Sequence, residues 1–131
     1  MANTTPILEI KNLTKVYGSG SSAKTAVDNI SLNVERGSFF GLLGPNGAGK
    51  STIIHCTTGI TQPTSGQILI DGSDVVKDYK IARTKVGVSP QEFNVNIFIS
   101  PEQIMDYMGG YYGIPKAVRK KKIDELHEKK R

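Results

Sequence analysis

The sequence predicts an α/β fold in which a strand, a glycine-rich loop and a helix form the core. An antiparallel β subdomain precedes that core, and two helices follow it. Three observations lead there. Residues 44–52, Gly44-Pro45-Asn46-Gly47-Ala48-Gly49-Lys50-Ser51-Thr52, fit the phosphate-loop (P-loop) pattern G-x-x-x-x-G-K-[ST]. The run before them, residues 38–43, is short, apolar and bounded by glycine, as a strand buried on both faces should read. Residues 50–58 then carry Ile53 and Ile54 over a helix-length stretch that Gly59 would close as a left-handed cap. At this composition the loop pattern arises by chance on the order of 0.02 times in a chain this long, so strand, loop and helix in order are a specific signal for a nucleoside-triphosphate site.

Each residue type in the loop has a physical task. Gly44, Gly47 and Gly49 admit backbone angles closed to other residues and let main-chain N–H groups approach phosphate oxygens. The first helical turn leaves its own donors unpaired, and the helix dipole adds positive potential at the same point. Lys50 supplies a full charge that can reach the β- and γ-phosphates. The Ser51 hydroxyl is placed to ligate magnesium, and that of Thr52 to bond a phosphate nearer the sugar.

Taken in order, residues 7–17 are rich in β-branched and apolar side chains and predict a strand ending at Tyr17. Residues 18–22, Gly-Ser-Gly-Ser-Ser, form a turn. Ile30, Leu32 and Val34 then alternate with Ser31, Asn33 and Glu35 as in a strand with one wet face, so the two strands should pair antiparallel. After the loop helix, residues 61–66 turn, residues 67–70 form a strand, and Asp71-Gly72 makes a tight turn. An aspartate after apolar residues can end a magnesium-binding strand, but Asp-Gly is more simply a turn and no second acid follows to act as a base. Residues 85–88 predict a further short strand delivering Ser89-Pro90-Gln91. Ser100 caps a helix with Pro101 at its first position and Gln103 completing a capping box. Ile104, Met105, Tyr107, Met108 and Tyr111 form that helix's apolar stripe, and a second helix starts at Lys116.

Charge and cysteine content bound the function. The net charge of +5 is concentrated: residues 1–115 carry nine basic and nine acidic side chains, residues 116–131 eight and three. The single cysteine, Cys56, excludes an internal disulfide, suits a reducing compartment, and reads as a small buried hydrophobe in the loop helix. No apolar run approaches the ~20 residues of a membrane span, and no signal-like N-terminus is present. These features predict a cytoplasmic protein that serves any membrane process through another chain.

With Tyr17, the loop and Gln91 placed, the chain resembles the first half of an ATP-binding-cassette (ABC) ATPase, the motor subunit of ABC transporters. Lys15-Val16-Tyr17 resembles the family's aromatic loop, 44–52 its phosphate loop, and Ser89-Pro90-Gln91-Glu92-Phe93 its glutamine loop. The resemblance implies ATP and Mg2+ as ligands, with the Tyr17 ring stacked on adenine. It gives Gln91 a place beside magnesium and the attacking water, and a contact to the transmembrane permease. It further implies dimerisation with a second ATPase subunit at the cytoplasmic face of a membrane. Domains of 1–91 (ATP-binding core) and 92–131 (start of the helical subdomain) follow from it. The stretch from Gln91 to Tyr112 is most similar to multidrug-type and polysaccharide-type exporters.

The sequence departs from the family pattern in one large respect. Leu-Ser-Gly-Gly-Gln, the strand ending in a magnesium-binding Asp with a catalytic Glu, and the switch histidine have no counterpart in it. The chain is expected to be truncated within the helical subdomain, to have no catalytic residue of its own, and to bind ATP with negligible turnover. A GTPase or kinase is the nearest alternative, but a guanine-reading Asn-Lys-x-Asp run is missing. A binding module whose basic tail engages nucleic acid or an anionic membrane is a third. A solvated helix face is the simpler reading of that tail, and no nucleic-acid partner is expected.

Overall fold

A computed structural model describes residues 5–89 and 98–128. The chain divides between Val88 and Ser89 into two compact units. The first is a four-stranded antiparallel sheet with two helices. In chain order it comprises β1 (Leu8–Tyr17), β2 (Lys24–Val34), α1 (Lys50–Thr57), β3 (Ser65–Ile70), β4 (Ser73–Asp74) and α2 (Tyr79–Thr84), and the sheet order is β2-β1-β3-β4.

The strands expected at 7–17 and 30–34 form and pair antiparallel, with β2 beginning earlier, at Lys24. Pairing runs from Leu8↔Val34 to Tyr17↔Lys24 and is interrupted by bulges. Asn12 lies in the first bulge, between Ile10 and Leu13, and Asn29 in the second, between Ile30 and Val27. Asn12 and Asn29 both adopt positive φ (50° and 48°), a region asparagine tolerates, and Asn12 Nδ2 donates to Asn29 Oδ1 at 3.0 Å. On the other side of β1, Gly66 of β3 lies so close that a Cβ would stand 2.4 Å from the Asn12 carbonyl oxygen. The first bulge brings Leu13 into register with Ile10, and both are fully buried together with Val27, Cys56, Ile68, Ile70, Val75 and Ala82.

Two expected strands do not form. Residues 38–43 have no regular structure, and Phe39 and Leu43 are 103% and 94% exposed. Residues 86–88 are likewise irregular. Both runs have strand composition, but a strand persists only when neighbours complete its hydrogen bonds, and no described strand lies beside either one. Conversely, β4 and α2 emerge from residues 73–84, which carry little periodicity. Asp71 (φ 47°) and Gly72 (φ 75°) make the predicted tight turn that folds β4 back onto β3.

Asp74 sets the geometry after that turn. It is 7% exposed, accepts from the Val76 and Lys77 amides (2.8 and 3.0 Å) and from Gln67 Nε2 (2.8 Å), and so begins the turn into α2. Burial alone would raise its pKa, but the bonds from Gln67 and the two amides hold it below the ordinary carboxylate value. At the exposed turn, Arg36 and Lys85 both pair with the Asp71 carboxylate and lower its pKa, Arg36 contributing most.

The second unit pairs α3 (Pro101–Tyr111) with α4 (Lys116–Glu128), as expected. The Ser100–Gln103 capping box is present with both reciprocal bonds. Gly109 and Gly110 leave room for the Arg119 side chain, whose Nε donates to Asp106 Oδ1 at 2.7 Å. Only part of the expected apolar stripe is covered: Ile104 and Met105 are half-buried, whereas Tyr107, Met108 and Tyr111 are exposed. Among the described residues no helix is long and apolar enough to cross a membrane.

Candidate phosphate-loop site

The phosphate loop is an irregular segment that winds through three positive-φ glycines, Gly44, Gly47 and Gly49, and ends as α1 begins at Lys50. Gly49 is the N-cap residue, in the left-handed conformation at φ 87°. It lies flush against β2: a Cβ there would be 2.5 Å from the Ala26 carbonyl oxygen and 3.2 Å from Val27 Cγ2. No L side chain suits that conformation, and none fits that space. Gly44 leaves 3.3 Å to the Ala48 methyl, and Gly47 faces open space.

Lys50 closes over the loop. Its Nζ donates to the carbonyl oxygens of Gly44 and Pro45, at 2.6 and 2.7 Å. The ammonium is thus held within the arc that its own backbone makes. The amide of Ala48 is tied to the Pro45 carbonyl at 3.2 Å, and the first helical bond runs from the Ile53 amide to the Gly49 carbonyl at 2.9 Å. The amides of Lys50, Ser51 and Thr52 therefore have no carbonyl partner in the helix, and they collect at its positive end. An anion at this point would meet a fixed positive field, backbone donors and the Lys50 ammonium.

Magnesium would rest on a sparse protein contribution. The Ser51 hydroxyl, exposed on the first turn of α1, is the described group that fits it. Among the described residues no group of three or more His, Cys, Asp or Glu side chains could hold a metal ion. The ion's remaining oxygens would come from phosphate and water, the common arrangement for magnesium at a nucleotide. Gln91, expected to join it, lies outside the described residues.

The hairpin end carrying Tyr17 belongs to the same neighbourhood. Lys15 pairs across the sheet with Val27, whose side chain lies against Gly49, and Tyr17 pairs with Lys24 two residues further along β1. The Tyr17 ring is 42% exposed at the strand end instead of packed in the core. Lys15 Nζ stands over it, 4.9 Å from the ring centroid. In the sequence Lys15 stands out only as part of the Lys15-Val16-Tyr17 motif. The available signal was its spacing, because residues i and i+2 of a strand share a face. Beneath the loop, Cys56 is fully buried, and burial pushes its thiol pKa up, consistent with an inert packing role.

Comparisons with known proteins agree with this geometry. The ABC transporter family profile matches residues 27–130. The chain is 37% identical over 123 residues to the methionine import ATP-binding protein MetN of Corynebacterium diphtheriae, covering 91% of this chain and 36% of that protein. It is 38% identical over 125 residues to the Nod factor export ATP-binding protein I of Ralstonia nicotianae, covering 95% and 38%. Among solved structures, the ATP-binding cassette MJ0796, a dimer in a post-hydrolysis state bound to ADP and Pi, matches with a TM-score of 0.73 at 28% identity, over 90% of this chain and 54% of that one. CbiO1 of Clostridium perfringens, part of the ABC transporter complex cbiONQ, matches with a TM-score of 0.73 at 27% identity, over 92% and 49%. The chain thus spans less than two fifths of the curated relatives' length and about half of the solved cassettes. Phosphate loop, antiparallel hairpin and sequence likeness converge: the chain belongs to the ABC transporter family, among its ATP-binding subunits.

Proposed function

We propose that this chain binds Mg-ATP through residues 44–52, as the nucleotide-holding part of an ATPase that energises transport across a membrane. The observation that supports this most is the arrangement around Lys50: an ammonium held by the Gly44 and Pro45 carbonyls beside the unpaired amides at the start of α1. A triphosphate would draw that ammonium off two neutral carbonyls and onto charged oxygens. Charge-assisted bonds of this kind are worth roughly twice a neutral one. Gly44, Pro45, Asn46, Gly47, Ala48 and Gly49 shape the cradle, Ser51 meets magnesium with Gln91, Thr52 meets an inner phosphate, and Tyr17 stacks on the base. Stacking tolerates any base, so preference for ATP over GTP is modest.

The reading extends to partners and place. A separate permease chain receives the motion, a second ATPase subunit completes each site, and the protein works at the cytoplasmic face of the membrane. Residues 1–91 serve as the nucleotide-binding core and 92–131 as the start of the helical subdomain. The named relatives serve both import and export, so the likeness favours neither direction. Hydrolysis by these 131 residues is negligible, because a positioned general base alone contributes about 10² to 10⁴ in rate and none is recognisable in the sequence.

The test titrates the protein with a fluorescent ATP analogue, with and without magnesium, while following phosphate release. The proposal expects saturable binding strengthened by magnesium and no release above the blank. Absence of saturable binding would refute it, and steady release would refute the claim about turnover.

A further inference from the structure

We propose that Lys15 is a positioning residue for the nucleotide base, holding one face of the Tyr17 ring so that the opposite face is presented to the purine. The inference rests on the reading that Tyr17 stacks on the base. Its own ground is the geometry of β1. Past the bulge at Asn12, Leu13, Lys15 and Tyr17 are alternate residues of β1, paired with β2 across two further register shifts, with Leu13 fully buried and Tyr17 42% exposed at the strand end. Lys15 lies between them, half-buried, with Nζ 4.9 Å from the ring centroid, within cation–π range.

Two further observations place Lys15 near the phosphate site. Lys15 is the cross-strand partner of Val27, whose methyl lies against Gly49 at the end of the phosphate loop. Its charge also reaches Cys56 of α1, where it offsets part of the burial that raises the thiol. Lys15 thus contacts the ring and pairs with the strand residue that lies against the end of the phosphate loop. A free tyrosine at a strand end would sample several rotamers, and ordering it on binding costs affinity. A ring already held on one face avoids much of that cost. Stacking then uses the remaining face.

The test compares affinities for Mg-ATP and for inorganic tripolyphosphate, which has the phosphates but no base. The proteins are the parent, Lys15→Met, Lys15→Arg, Tyr17→Ala and the double variant Lys15→Met/Tyr17→Ala, each checked for folding by circular dichroism. Lys15→Met should weaken Mg-ATP roughly two- to fivefold, the range of one exposed cation–π contact, and leave tripolyphosphate unchanged. Lys15→Arg should restore most of the loss. In the Tyr17→Ala background, Lys15→Met should have no further effect. Equal loss of both ligands would overturn the proposal by making Lys15 a phosphate contact or a fold element. Additive losses in the double variant, or no loss in Lys15→Met while Tyr17→Ala weakens Mg-ATP, would also overturn it. If Tyr17→Ala itself leaves Mg-ATP affinity intact, the stacking reading fails and this inference falls with it.

Discussion

Gly49 closes the phosphate loop where the chain has no room for a side chain and a backbone angle that only glycine adopts freely. Gly49→Ala should cost about 1–3 kcal/mol in a denaturant titration, because strain at φ 87° adds to a clash with the Ala26 carbonyl. Gly47→Ala is the control at similar φ but in open space, and it should cost less. Asp74 makes a second prediction at this scale. Its folded pKa lies below the unfolded value of about 3.9, so its ionised form stabilises the fold above that pH. That contribution is lost as pH falls through the folded pKa. Asp74→Asn should therefore be less stable than the parent at pH 7, and the difference in unfolding midpoint should shrink as pH drops below about 4. The phosphate-loop residues were legible in sequence because each type has one steric or electrostatic reason to be there. The closeness of Gly49 to β2 was not, since it depends on which strand the hairpin lays against the loop.

Elements with local signals formed as read. The Ser100–Gln103 capping box, the Gly59 cap (φ 74°) and the Asp71-Gly72 turn are each encoded within a few residues, and each is present. Ser100→Ala removes one side of that box and should cost about 1 kcal/mol, seen as lower helix content by circular dichroism. Elements that depend on distant neighbours were read wrongly. Residues 38–43 and 85–88 have strand composition, yet β propensity reports fit to a sheet surface more than a backbone preference. Without described strands beside them they stay irregular. Helix α2 went unseen for the converse reason. Six residues with one buried side chain, Ala82, carry little pattern, and the turn that starts them is set by Asp74 bonds that no periodicity reveals.

At the scale of the whole molecule, the first unit keeps a small core of eight buried apolar side chains among the described residues, while Phe39 and Leu43 stand in solvent and Phe40 is half-exposed. An exposed apolar cluster of this kind is an association hazard. Phe39→Ser should reduce concentration-dependent light scattering and change the unfolding free energy by less than about 0.5 kcal/mol, because the side chain is fully exposed. Family membership rests on the profile match over residues 27–130 and on the sequence relatives, and the central functional claim rests on Lys50 in the phosphate loop. Isothermal titration of the parent and Lys50→Ala with Mg-ATP tests that claim most directly. The account predicts saturable binding in the parent, weakened roughly 10- to 100-fold by Lys50→Ala with the fold intact, which is the loss of one charge-assisted contact. Equal affinities in the two proteins would contradict it.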